Sequence, residues 1–195
     1  MLSIEQNLSF LERIVEEFEH YLLSTQVFWP ISHSGITATP LPRLTLGGLS
    51  LHLNELAAQK GQMNPEQVKR YDRLRQELGQ YQIKWQATME NKAIQELRAR
   101  LNLWKAYLSD LEEKPEWIEN YPREVLNRLM IDLLLTITGS DPGLASEVQL
   151  IRNLDLRIHD FTVPGKFILD DLLQPVYPQE KFPYLYMKPR KSIIR

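Results

Sequence analysis

The chain has 195 residues, 43% hydrophobic and 25% charged, with a net charge of −2 and no cysteine. That is enough chain for one packed domain, and the composition is too ordinary for wholesale disorder. Balanced charge supplies no field for nucleic acid or an anionic membrane, and the missing cysteines exclude disulfides, thiolate metal sites and cysteine nucleophiles.

The N-terminal stretch has neither a basic start nor an unbroken apolar core, so it does not read as a signal peptide. It reads as a helix over residues 3–25 with Ser3 as N-cap. Ile4, Leu8, Leu11, Ile14 or Val15, Phe18, and Tyr21 or Leu22 form one apolar stripe at helical spacing. The opposite face carries Glu5, Glu12, Glu16, Glu17 and Glu19 against Arg13 alone.

Residues 26–44 break the pattern, because Pro30, Gly35, Pro40 and Pro42 oppose a long helix. Val27, Phe28, Trp29 and Ile31 are too apolar for a free linker, so this loop is expected to be pinned to the bundle. A loop of this length is the first place to look for a site. A short helix follows over about 45–60, capped by Thr45 and ended by Gly61.

Asn64-Pro65-Glu66-Gln67 then opens a spine that runs to Lys114-Pro115 with Gly79 as its one helix breaker. Tyr71, Leu74, Leu78, Tyr81 and Trp85 keep a 3-4-3-4 spacing, as do Ile94, Leu97, Leu101, Trp104, Leu108 and Leu111. The two series are about half a turn out of phase. The seam therefore changes face, or the helix bends, near Met89. From Glu66 to Lys105 there are nine Lys/Arg and five Asp/Glu. This net positive segment suits antiparallel pairing with the acidic first helix.

Pro122 opens a further helix to about Thr138, the most apolar segment, and Gly139 stops it. Asp141-Pro142 starts the next, which runs to about His159. After Phe161 the pattern changes. Phe167–Leu173 reads as a short helix, Tyr184–Tyr186 as a strand with no partner, and Pro175, Pro178, Pro183 and Pro189 forbid regular helix. The expectation is all-α: a bundle of four to five main helices over residues 1–160, with a long central helix at about 65–113. An extended Pro- and aromatic-rich arm over 161–195 packs on the bundle or on a neighbouring subunit.

Few residues suggest chemistry. Glu17-x-x-His20 has the spacing of a carboxylate–histidine metal pair, but di-iron bundles need two such motifs and further Glu, and here it stands once. With His33 in the Pro-bounded loop and His52 on the second helix, Glu17 and His20 define a candidate polar pocket. Ser32 and Ser34 beside His33 cannot form a nucleophile–base pair with it, and Leu46-Gly47-Gly48 lacks the rest of a phosphate loop. The aromatic faces of Tyr177, Phe182, Tyr184 and Tyr186 are candidate interface residues. No metal or cofactor is expected.

The expected function is a non-enzymatic, cytoplasmic interaction or scaffold protein. It self-associates, most simply as a dimer, or binds another protein, with no nucleic-acid or membrane partner. The competing class is a small-molecule- or metal-binding enzyme with its site between the first helix and the 26–44 loop.

Overall fold

The computed structural model describes residues 3–31, 42–139 and 141–190. The described residues are mostly helical: α1 (Ile4–Leu23), α2 (Leu46–Gln59), α3 (Pro65–Lys84), α4 (Gln86–Glu113), α5 (Tyr121–Thr138) and α6 (Ala145–Ile158). One antiparallel two-stranded ribbon joins β1 (Thr162–Pro164) to β2 (Met187–Pro189). The chain is thus all-α in class. None of the described helices is long and apolar enough to cross a membrane.

Local chemistry sets the helix starts. Ser3 and Gln6 form a capping box on α1, and Asn64 and Gln67 form another on α3. Thr45 caps α2 by accepting from the Gly48 N–H at 3.0 Å. A Cβ on Gly48 would sit 2.9 Å from the Thr45 hydroxyl, so glycine there makes room for the cap. The spine divides at Trp85 (φ −121°, ψ 27°), four residues before the phase change read at Met89. Trp85 still donates to Tyr81 O, and Met89 donates to Trp85 O. The break is therefore one residue's dihedral change, placed where the first heptad series ends.

The chain forms two compact units, Met1–Glu96 and Leu97–Arg195, with the boundary inside α4. The change of sequence character at residue 160 falls within the second unit.

In the first unit, Leu8, Leu11, Ile14, Phe18, Tyr21 and Leu22 of α1 are buried as their spacing implies, joined by Phe10. α2 runs antiparallel to α1, with Asn7 reaching Glu55 and Phe10 meeting His52. α3 runs parallel to α1, since Arg70 pairs with Glu5 and Glu12 while Lys84 pairs with Glu19. Charge complementarity therefore chose the right neighbours and the wrong direction. The reason is that α1 is acidic along its whole length, so either direction pairs charges. Each such pair contributes about 0–1 kcal/mol, against about 1.5–3 kcal/mol for each large apolar side chain buried in the stripe. Burial decides. The base of the 26–44 loop is closed by paired hydrogen bonds between Trp29 and Leu44, with Ile31 and Leu44 buried.

In the second unit, Trp104, Leu108, Tyr121, Val125, Leu129, Leu134, Ile151, Leu154 and Ile158 are buried. α5 runs antiparallel to this part of α4, as Arg100–Asn127 and Trp104–Tyr121 contacts show. Two expectations are corrected here. Phe167–Leu173 is not a helix; only Asp171–Leu173 makes a 3₁₀ turn, capped by Asp170. Pro183–Tyr186 is likewise a 3₁₀ turn, and the strand comes immediately after it. Its partner is β1, in the register Thr162↔Pro189, Val163↔Lys188 and Pro164↔Met187. Three-residue strands carry too few alternations to be read as a period. Gly165 allows the close approach, since a Cβ there would lie 3.0 Å from the Lys188 side chain.

Candidate functional site

Of the candidate polar residues nominated from the sequence, Glu17, His20 and His52 are described, and each has surroundings of its own. Glu17 accepts the Trp29 indole N–H at 2.7 Å, fixing the loop base to α1. His20 is exposed. His52 stacks edge-on against Phe10 at 4.7 Å, and Phe10 and Glu17 are seven residues apart, about 10 Å along the helix. His33 lies outside the described residues. Among the described residues no three His, Cys, Asp or Glu side chains cluster as a metal site. Tyr177, Tyr184 and Tyr186 are buried within the chain itself, and Phe182 is half-buried among them.

Three polar constellations that the sequence reading missed are built instead. The first lies on α4. Buried Lys92 donates to Ser24 O (3.0 Å), Ser24 Oγ (3.3 Å) and Gln26 O (2.8 Å), and sits 4.4 Å over the Tyr21 ring. One turn on, buried Glu96 accepts from the Gly47 N–H with both oxygens, at 3.2 and 3.0 Å. A cation thus meets the carbonyls at the C-terminal end of α1, and an anion meets the amides at the N-terminal end of α2. Each sign matches the partial charge of the helix end it touches. Burial pulls the Lys92 ammonium below the ordinary lysine range.

The second constellation lies in the second unit. Arg128 forms a bidentate pair with Asp155 (2.7 and 2.8 Å) and a further bond to Asp132 (2.6 Å). Its guanidinium lies 4.6 Å over the Tyr184 ring, and the Tyr184 hydroxyl donates to Asp132 at 2.7 Å. Tyr121 adds a 2.6 Å bond to Tyr184 O. Burial opposes the charge on Arg128, but the two aspartates outweigh it and hold the guanidinium more firmly protonated than usual. Burial and the nearby Asp132 push the Tyr184 hydroxyl up, and burial does the same to Tyr121. The cluster ties α5, α6 and the segment before β2 together; its groups are consumed in holding one another.

The third is a polar seam between α1 and α2. Asn7 Nδ2 donates to Glu55 Oε2 at 3.1 Å, and His52 Nδ1 lies 3.4 Å from the same oxygen. Asn7 Oδ1, His52 Nδ1 and Gln59 Oε1 are buried without a hydrogen-bond partner. Such orphans are few in native proteins, and the two beside Glu55, on Asn7 and His52, call for a reason. The sequence signal was present: His52-x-x-Glu55 places both groups on one face of α2, but a search for Glu before His passes over His before Glu.

Open clefts lie elsewhere. One of about 430 Å³ is lined by Asp171, Gln174, Pro175, Pro178, Glu180 and Tyr186, and one of about 350 Å³ lies between Arg98, Leu101 and Glu147, Leu150. Neither includes His20 or His52.

The fold and these clusters define a helical protein whose buried charges join its own elements. Compared with known proteins, the chain matches no family model, no curated protein and no solved structure.

Proposed function

We propose that this chain is a non-enzymatic helical interaction module that self-associates, as a dimer, in the cytoplasm. The observation that carries the reading is the shared end of α1 and α3. Because the two helices run parallel and Glu19 pairs with Lys84, their C-terminal ends lie together. There Leu23 and Ile83 are 62% and 83% exposed. Leaving two large aliphatic side chains in water forgoes about 1.5–3 kcal/mol each relative to full burial, which a second copy would recover. The buried ionisable groups support the same reading, since Lys92, Glu96 and Arg128 are engaged with helix ends and neighbouring helices.

Analytical ultracentrifugation of the full chain at micromolar concentration tests it. The expected result is a dimer that Leu23→Asp combined with Ile83→Asp shifts to monomer. A wild-type chain that sediments as a clean monomer across that range removes the proposal.

A further inference from the structure

We propose that the seam between α1 and α2 is a metal-binding site, in which His52, Glu55 and Asn7 hold one divalent cation of the zinc class. The inference goes beyond the interaction reading and does not depend on it.

His52 and Glu55 are one turn apart on α2, and their side chains are only 13% and 12% exposed. The 3.4 Å between His52 Nδ1 and Glu55 Oε2 fits two ligands of one tetrahedral ion. With bonds of about 2.0–2.1 Å, such ligands lie about 3.3–3.4 Å apart. Their separation therefore need not change for the two to share a cation. His52 Nδ1 is buried with no hydrogen-bond partner. A neutral imidazole protonated at Nε2 presents there the lone pair that a metal takes.

The carboxylate tells the same story from the other side. Glu55 forms no ion pair with a Lys or Arg among the described residues; its hydrogen-bonding partner is the neutral Asn7 amide. A largely buried carboxylate needs a positive partner: here that is either a proton on His52, 3.4 Å away, or a metal ion held by both side chains, and the metal titration separates the two. Asn7 is fully buried, its amide head touches Glu55, and its Oδ1 has no partner. Turning that amide over replaces the N–H facing the carboxylate with an oxygen, and no backbone moves.

One imidazole nitrogen, one carboxylate and one amide oxygen suit Zn²⁺ or a similar first-row ion better than Ca²⁺. Water completes the coordination at the exposed edge. Two ligands come from α2 and one from α1, so the ion staples the two helices. An amide as third ligand points to micromolar binding.

The test uses the metal-free full-length chain, titrated with Co²⁺ by visible absorption and with Zn²⁺ by calorimetry. The expected result is one saturable equivalent and a higher melting temperature with metal. Glu55→Gln, which keeps the shape, and His52→Phe, which keeps the packing on Phe10, each weaken binding tenfold or more. His20→Gln leaves it unchanged. Circular dichroism identifies a variant that has failed to fold; if His52→Phe does, Glu55→Gln alone decides. Absence of a saturable equivalent in the wild type overturns the proposal. So does binding that survives Glu55→Gln, or binding lost in His20→Gln, which would place the metal on the Glu17–His20 pair.

Discussion

Lys92 and Glu96 stand one turn apart on α4 and carry opposite charges to two opposite helix ends. Each is buried, so removing one partner of such an arrangement leaves uncompensated groups at a cost of about 3–5 kcal/mol. Glu96→Gln keeps the shape and one acceptor, and is expected to destabilise by less than Glu96→Ala, a ranking that urea unfolding checks. The depressed Lys92 value has a signed consequence. Between that value and the ordinary lysine value of about 10.4, the unfolded chain holds more protons than the folded one. Lys92 therefore adds stability as pH rises through this window, and Lys92→Met removes that part of the slope. Unfolding titrations of both chains at pH 7.5 to 10 measure the difference. Arg128 behaves differently because it holds two carboxylates at once. Arg128→Leu strands Asp132 and Asp155 and is expected to cost several kcal/mol, whereas Tyr184→Phe loses one hydrogen bond to a charged group, about 1.5–3 kcal/mol.

At the scale of elements, the helix starts are written in short sequence signals that act over four residues. Ser3/Gln6 and Asn64/Gln67 formed the boxes their spacing implies. Ser3→Ala and Asn64→Ala are each expected to cost about 1 kcal/mol by thermal unfolding. The spine's change of phase was legible too, since half a turn of mismatch between Trp85 and Ile94 means that the apolar seam changes face there or the helix bends. Which residue yields was not legible, because Trp85, Met89 and their neighbours all tolerate helical dihedrals alone. The short ribbon was hidden for a related reason: β1 and β2 each have three residues, and their pairing spans 22 intervening positions (residues 165–186) that no local pattern connects.

At the scale of the molecule, three buried tyrosines of the second unit set an alkaline limit. Burial raises the hydroxyls of Tyr107, Tyr121 and Tyr184 above the ordinary value. Above about pH 10 the unfolded chain releases these protons while the folded chain keeps them, so stability falls as pH rises. Tyr121→Phe is expected to flatten that fall, although it also loses the bond to Tyr184 O; stability measured from pH 9 to 11 separates the slope from the offset.

The sequence by itself determined the class of fold, the helices and most of their buried faces, because periodicity and capping act within one element. It also marked His52, though not the residues that meet it. Only the tertiary structure decided that α1 and α3 run parallel, that Lys92 and Glu96 reach the ends of α1 and α2, and that Asn7, His52 and Glu55 share one seam. Each of these rests on hydrogen bonds between residues 48 to 68 positions apart, and it is burial of apolar stripes, not any local preference, that brings such groups within a few ångströms.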